Sequence, residues 1–444
     1  MGQDSPALCP REERILVQKT SLWLTLFPVN GRKHTGRSQN LPTGGLIRTN
    51  ILQLLDRAIS EKEIVELLQD LIRIPSHRDT PGREREIALS MHDFLRRQGI
   101  EVELMPVLDE RPNVVAVLRG SGGGKNLMLN GHTDTVRPYR MEAPYDPVIR
   151  EGRLYGRGAC DMKAGVAAMM MALLALQRAE IPLKGDVIFT GVINEELQSE
   201  GTEAIVTRGP KADFAIVGEP TELSIAPGHR GLEWLDIVIE GKTAHGGVPE
   251  RGINAISKAA KLIRAIEEDL VPRLAEREHP GVGRSILNFG TLHGGDQPSS
   301  VAGRCVLQLD RRYTPKESLE QVLRDFEEIL EKLRREDPEF KATLHRNPDN
   351  MATMDHLPVY VEPEHPLVQA LLKAHRDVRG EEAQCRPKTG WTDASLLANY
   401  AGIPAVNLGP GSVAQAHTEE EYVPICHLKP AALIYAMAAV HLCS

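Results

Sequence analysis

The chain has 444 residues, 41% hydrophobic and 26% charged, which is long enough for two or three domains around a sizeable core. Lys and Arg number 53 against 61 Asp and Glu, a net charge of −8 with no block of basic residues, so a nucleic-acid partner is not expected. No apolar stretch approaches the roughly 18 residues a transmembrane helix needs, so no membrane partner is expected either.

Residues 1–50 show no period, and "GRKHTGRSQNLPTGGLIRTN" is rich in Gly, Arg, Asn and Thr. This segment reads as a disordered extension. Its one apolar run, "SLWLTLFPV" at 21–29, lacks the small-residue cleavage site of a secretory signal. The six cysteines, at 9, 160, 305, 385, 426 and 443, are scattered without a C-x-x-C pair. They suit free thiols in a reducing compartment, and a cytoplasmic location is expected.

Helical spacing of apolar residues begins at "ILQLLDRAISEKEIVELLQDLIRI" and recurs in "EREIALSMHDFLRRQGI", closed by Gly99. Short apolar runs then alternate with a helix: "NVVAVLRG", "NLMLNG", "AGVAAMMMALLALQRA", "DVIFTGVI" and "FAIVGEP". That pattern predicts an α/β layer covered on both faces. The character changes near Pro227 and Gly228. "LEWLDIVIEG" alternates as a half-exposed strand does, and two amphipathic helices follow, separated by "SILNFGTLHGG" and "RCVLQLDRRY". This predicts a small α+β domain over 228–345, inserted into an α/β domain made of 51–227 and 346–444. After the loop "NPDNMAT" come a helix at 366–378, the strand "PAVNLG" and a last helix at 429–441.

Acidic and imidazole side chains recur where strands end. His132 and Asp134 follow "NLMLN", Asp161 lies in the loop "GRGACDMKAG", Glu195 and Glu196 close "DVIFTGVINEE", and Glu219 closes "FAIVGEP". Ligand sites of open α/β sheets gather beyond the carboxyl ends of the strands. Carboxylates converging there repel one another unless cations sit between them. Nitrogen and oxygen donors without thiolate suit catalytic Zn²⁺, Co²⁺ or Mn²⁺ rather than a structural zinc site. One glutamate of the 195–196 pair can bind metal while its neighbour handles a proton.

Together, "NGHTDTV", "GRLYGRGACDMKAG", "INEELQSEG", "VGEPTEL" and "GPGSVAQAHTEEEYV" resemble the co-catalytic metallo-amidohydrolases. That family contains acetylornithine deacetylase, succinyl-diaminopimelate desuccinylase, the aminoacylases and bacterial glutamate carboxypeptidase. The resemblance runs in order from about residue 60 to the C-terminus. It implies a zinc-peptidase-like catalytic domain with a mixed central sheet, interrupted by a smaller ferredoxin-like α+β domain that serves as lid and dimer interface. It also implies two divalent ions per chain, zinc before cobalt or manganese. His132, Asp161, Glu196, Glu219 and His417 match the family's metal ligands, with Asp161 bridging and joined to Met162 by a cis peptide. Glu195 matches the general base and Asp134 the partner that orients the His132 ring. His245, in "GKTAHGGVPERGINAI", matches a lid histidine that reaches the neighbouring subunit's site, which implies a homodimer.

For the substrate, the resemblance points to Arg312 of "LQLDRRYTP" as a carboxylate clamp, with Asn288 and Gly390 as further contacts. Adjacent strand residues face opposite ways, so only one of Arg311 and Arg312 can serve. Asp393, in "KTGWTDASLL", reads equally as a helix N-cap. "QPSSVAG" departs from the turn usual after "GTLHGGD" in this family. The implied reaction is hydrolysis of the amide of an N-acyl amino acid by a metal-bridging water that Glu195 activates. Carboxypeptidase or dipeptidase action on short peptides is the alternative, and a non-catalytic binding relative a remote one.

Overall fold

A computed structural model describes residues 43–444, with side chains from Ile51 onward, and the architecture below concerns the unit Leu52–Ser444. Of the expected disordered extension, residues 1–42 lie outside the described residues. Residues 43–50 differ from that expectation and are helical, within α1 (Thr43–Ala58). Leu46, Ile47 and Arg48 are adequate helix formers and carry the helix back past residue 51. The helical pattern breaks at Ser60. Its Oγ accepts the N–H of Glu63 at 3.2 Å, and the Glu63 carboxylate accepts the Ser60 N–H at 2.9 Å. This reciprocal cap starts α2 (Glu61–Ile72). Then comes α3 (Arg85–Arg97).

The first sheet begins with β1 (Glu101–Leu108), β2 (Arg111–Leu118) and β3 (Leu127–His132). After α4 (Lys163–Arg178) come β4 (Val187–Val192), α5 (Glu200–Arg208) and β5 (Phe214–Val217). β3 and β4 are buried along their whole length, as continuous apolar strands covered on both faces must be. Residues 163–176 of α4 are buried all round. The backbone of α4 closes on the sheet at Gly165, where a Cβ would stand 2.1 Å from the carbonyl oxygen of Gly218. Glycine is required there, and the contact sets the start of α4 beside the end of β5.

The second sheet is antiparallel throughout: β6 (Gly231–Glu240), β7 (Ile286–Gly294), β8 (Arg304–Tyr313) and β9 (Lys341–Arg346), in the order β7-β8-β6-β9. One face carries Leu235, Ile237, Ile239, Leu307 and Leu309. They pack on α6 (Ala255–Ala265) and α7 (Leu319–Glu336) in a core of their own. The opposite face carries Leu232 and Trp234, paired with Arg312 and Asp310 of β8.

The chain then returns through α8 (Pro366–Arg379) and α9 (Ala394–Ala401) to β10 (Ala405–Asn407), which adds parallel to β5. The first sheet is thus mixed, ordered β1-β2-β4-β3-β5-β10. The last helix, α10 (Leu428–Cys443), corrects one expectation. With the preceding turn, Ile425–Cys443 is long and apolar enough for a membrane span, since Lys429 is the single charge among its Ala and Leu residues. Ala431–Ala439 are nevertheless buried in the protein, and α10 packs on α4 and α8. Cys160, Cys305, Cys385 and Cys443 are free thiols.

Candidate active site

β4, β3 and β5 are neighbouring parallel strands, so their carboxyl ends lie side by side. His132 is the last residue of β3, Glu195 and Glu196 follow β4, and Glu219 follows β5. The arrangement is the strand-end crevice typical of open α/β sheets. Asp161 enters from the loop before α4, joined to Met162 by a cis peptide bond. His417, at φ 62°, comes from the loop after β10.

Asp161 stands between the two histidines. Its Oδ1 is 3.1 Å from His132 Nε2, and its Oδ2 is 3.4 Å from His417 Nε2. Glu219 lies 3.5 Å from His132 Nε2, and Glu196 3.1 Å from His417 Nε2. Burial disfavours charge on His132, yet hydrogen bonds to Asp134 and Asp161 hold its proton affinity well above the ordinary range. The Asp161 and Glu196 carboxylates push His417 up to about 11. Carboxylates gathered this closely around two imidazoles favour cations between them.

The acidic pair is held by Asp134 in a way that differs from expectation. The two carboxylate oxygens of Asp134 accept the backbone N–H groups of Glu195 and Glu196 at 3.1 and 3.0 Å. His132 Nδ1 meets the carbonyl oxygen of Asp134 at 3.0 Å, and its carboxylate only at 3.5 Å. The backbone of Asp134 orients the ring, and its side chain anchors the glutamates. The reason is local: two adjacent amides at the end of β4 present a fork that a carboxylate fills bidentately, leaving the nearer carbonyl for the imidazole.

Two buried residues not singled out in the sequence complete this layer. Glu421 accepts the N–H groups of Gly158, Cys160 and Asp161 at 2.8–2.9 Å and pairs with Arg157 Nη1 at 2.6 Å. It is brought there by Tyr422–Pro424, which pairs antiparallel with Arg153–Tyr155. Lys388 places Nζ 3.0 Å from Glu219. Nothing in "RPKTGW" marks this lysine as buried; only the fold does.

The cluster opens into a cavity of about 290 Å³, walled by Leu232, Trp234, Arg312, His356, Gly390 and Trp391. Arg312 thus reaches the site, whereas Arg311 is fully buried on the other face against Glu317. Asp310 already fills one edge of the Arg312 guanidinium, at 2.7 and 2.9 Å. Asn288 sits exposed on the outer strand β7 opposite Asp310 and does not line the cavity. His245 is exposed, its Nδ1 accepting the Gly247 N–H at 3.0 Å, and it too stands outside this chain's cavity. Asp393 precedes α9 without a capping hydrogen bond. It accepts the Thr202 hydroxyl at 2.7 Å, and burial pushes its carboxyl up to about 7.

The donor set fits divalent metal. Ligand atoms of His132, Glu195 and Glu219 lie within 4.8 Å of one another, as do those of His132, Asp161 and Glu196. All are nitrogen or carboxylate oxygen, the donors of catalytic rather than structural sites. Such a cluster at the edge of this fold defines a metal-dependent hydrolase of amide bonds. The sequence profile of the peptidase family M20/M25/M40 matches residues 128–441, and the chain belongs to that family.

Among its relatives is the N-formyl-4-amino-5-aminomethyl-2-methylpyrimidine deformylase of Halalkalibacterium halodurans, 30% identical over 393 residues, covering 83% of this chain and 92% of the relative. An acetylornithine deacetylase of Myxococcus xanthus is 31% identical over 363 residues, covering 79% and 90%. Aminopeptidase PepT of Bacillus cereus shares the fold, with a TM-score of 0.73 at 23% identity over 87% of this chain and 100% of that one.

Proposed function

We propose that the chain removes small acyl groups from N-acylated amines, N-acyl amino acids being the form implied by the sequence. The placement of Asp161 between His132 and His417, with Glu195 beside them, carries the reading. The relatives at 30–31% identity, named as a deformylase and a deacetylase, favour deacylation over peptide cleavage. In this reading His132, Asp161 and Glu219 hold one divalent ion and Asp161, Glu196 and His417 a second, zinc before cobalt or manganese. Bound there, the ions polarise the carbonyl and acidify water. Glu195 accepts the proton of the attacking water and returns it to the leaving amine.

The same proposal makes 51–227 with 346–444 the catalytic domain and 228–345 a lid and dimer interface, in a cytoplasmic homodimer. His245 would act in the partner's site, and Asn288 would contact substrate when the lid closes. The test is metal content together with turnover of a panel of N-formyl, N-acetyl, N-succinyl and dipeptide substrates. About two metals per chain and turnover of the acyl amines are expected. A protein that holds no metal, or that cleaves only dipeptides, overturns the proposal.

A further inference from the structure

The chain has three tryptophans, and two of them, Trp234 and Trp391, line the cavity beside the metal-ligand cluster. They come from separate parts of the fold, β6 and the loop before α9. Trp234 is placed against the pattern of its strand. Leu235, Ile237 and Ile239 point into the core of the second sheet, whereas Trp234 shares the other face with Asp236. An indole on that face is half-buried and has no core to join.

Trp391 is held rigidly. Its Nε1 donates to the carbonyl oxygen of Leu357 at 3.2 Å. His356 meets its ring edge-on, with centroids 4.7 Å apart and planes at 87°, and His229 does so at 6.1 Å and 67°. His356 also stands 6.3 Å from Trp234, so it backs both indoles. Burial lowers His229 and His356 to about 4, leaving both rings neutral and the aromatic wall uncharged at neutral pH. Leu232, two residues before Trp234 on the same face, extends the apolar surface.

An aromatic wall can also serve as a cage for a cation. Charge argues otherwise here. Every acid lining the cavity belongs to the cluster of Asp161, Glu195, Glu196 and Glu219, and the remaining charged groups are the cations Lys388 and Arg312. An aliphatic ammonium would find no free counter-ion. Space is adequate for a ring with its amide, since an apolar cavity of about 150 Å³ already accepts benzene.

We propose that this cavity holds a flat, uncharged aromatic or heteroaromatic ring next to the scissile amide, packed on Trp234 and Trp391. The inference rests on the amide-hydrolase reading and names the substrate class of that site. The metal-loaded full chain is tested on matched pairs: N-acetylbenzylamine against N-acetyl-cyclohexylmethylamine, and N-phenylacetyl- against N-cyclohexylacetyl-methylamine. Each pair differs in aromaticity and little in bulk. In at least one pair the aromatic member should win by about tenfold in kcat/KM, the scale of one or two aromatic contacts. Trp234→Leu and Trp391→Leu should bring that ratio towards one, and the Trp→Phe variants should keep it. Equal rates within both pairs, or a ratio untouched by either leucine variant, overturn the inference.

If none of the four amides is cleaved, the panel of acyl amines described above decides the deacylase reading, and binding decides the inference separately. Phenylacetate should then quench the protein's tryptophan fluorescence at a concentration several-fold below that needed for cyclohexylacetate. Equal potency of the two acids would overturn the aromatic subsite.

Discussion

The carboxylate of Glu421 accepts the backbone N–H of Asp161 at 2.9 Å, across 260 residues of chain. Together with the N–H groups of Gly158 and Cys160 and the guanidinium of Arg157, it fixes the whole loop that delivers Asp161 between the two histidines. Removing the acid strands a buried arginine and three backbone donors at once.

Glu421→Ala should therefore cost stability on the scale of a broken buried pair, about 3–5 kcal/mol. Denaturant unfolding of the metal-free protein measures this without interference from ligand binding. A loss under about 1 kcal/mol, the range of an exposed pair, would show that the loop holds its shape without Glu421.

Glu195→Gln keeps size and hydrogen-bonding capacity but cannot take a proton. Its expected signature is wild-type metal content with turnover reduced by about two to four orders of magnitude, the usual worth of general acid–base catalysis. Because Glu195 also lies among the possible ligand atoms, metal analysis of the variant is informative. A stoichiometric loss of metal would reassign Glu195 from base to ligand.

Asp134→Ala leaves the amides of Glu195 and Glu196 without acceptors while the carbonyl that orients His132 remains. A fall of about 10–100-fold in metal affinity or activity is expected, typical of a partner lying behind the ligands. Asp134→Asn, which retains one acceptor oxygen, should fall between wild type and alanine in a metal titration. Identical losses in the two variants would contradict the two-pronged role assigned to the carboxylate.

His417→Ala should remove one of two metals. Elemental analysis after dialysis is expected to give about one ion per chain, retained by His132, Asp161 and Glu219. Loss of both ions would mean the two positions fill only together.

His229 supplies a pH dependence with a defined sign. Burial lowers its folded value to about 4 from the ordinary 6.5, so the unfolded chain binds a proton first. Stability is unaffected above about pH 6.5 and falls as the pH drops from there towards 4, by up to about 3 kcal/mol. The stability gap between wild type and His229→Gln should narrow correspondingly between pH 7 and pH 4 in parallel unfolding titrations. A constant gap would show that His229 does not titrate differently in the two states.

Much of this was legible in the sequence because it depends on local rules. Short continuous apolar runs announced β3, β4 and β5, and the residues at their ends had to meet once the strands paired in parallel. The alternation in "LEWLDIVIEG" marked β6, and adjacency on β8 separated Arg312 from Arg311. What escaped depends on pairings with no local signature. Glu421 is one of three consecutive glutamates, and only the register of Tyr422 against Tyr155 turns it inward. Lys388 sits in a loop whose sequence reads as solvent-facing. Trp234 did carry a signal, a large aromatic in the polar phase of an alternating strand. Spacing places Asp134 beside His132 but cannot say whether its side chain or its carbonyl meets the imidazole.

His417 and Glu421 lie in the same short segment near the C-terminus, one facing the metal-ligand cluster and the other bracing the loop that carries Asp161. During synthesis, His132, Asp161, Glu195, Glu196 and Glu219 all leave the ribosome long before that segment does. The unfinished chain has neither its last imidazole nor the acid that locks the Asp161 loop. The cluster therefore closes only when that segment folds back onto the loop before α4, so its assembly depends on contacts of very high sequence separation rather than on any one strand-end motif.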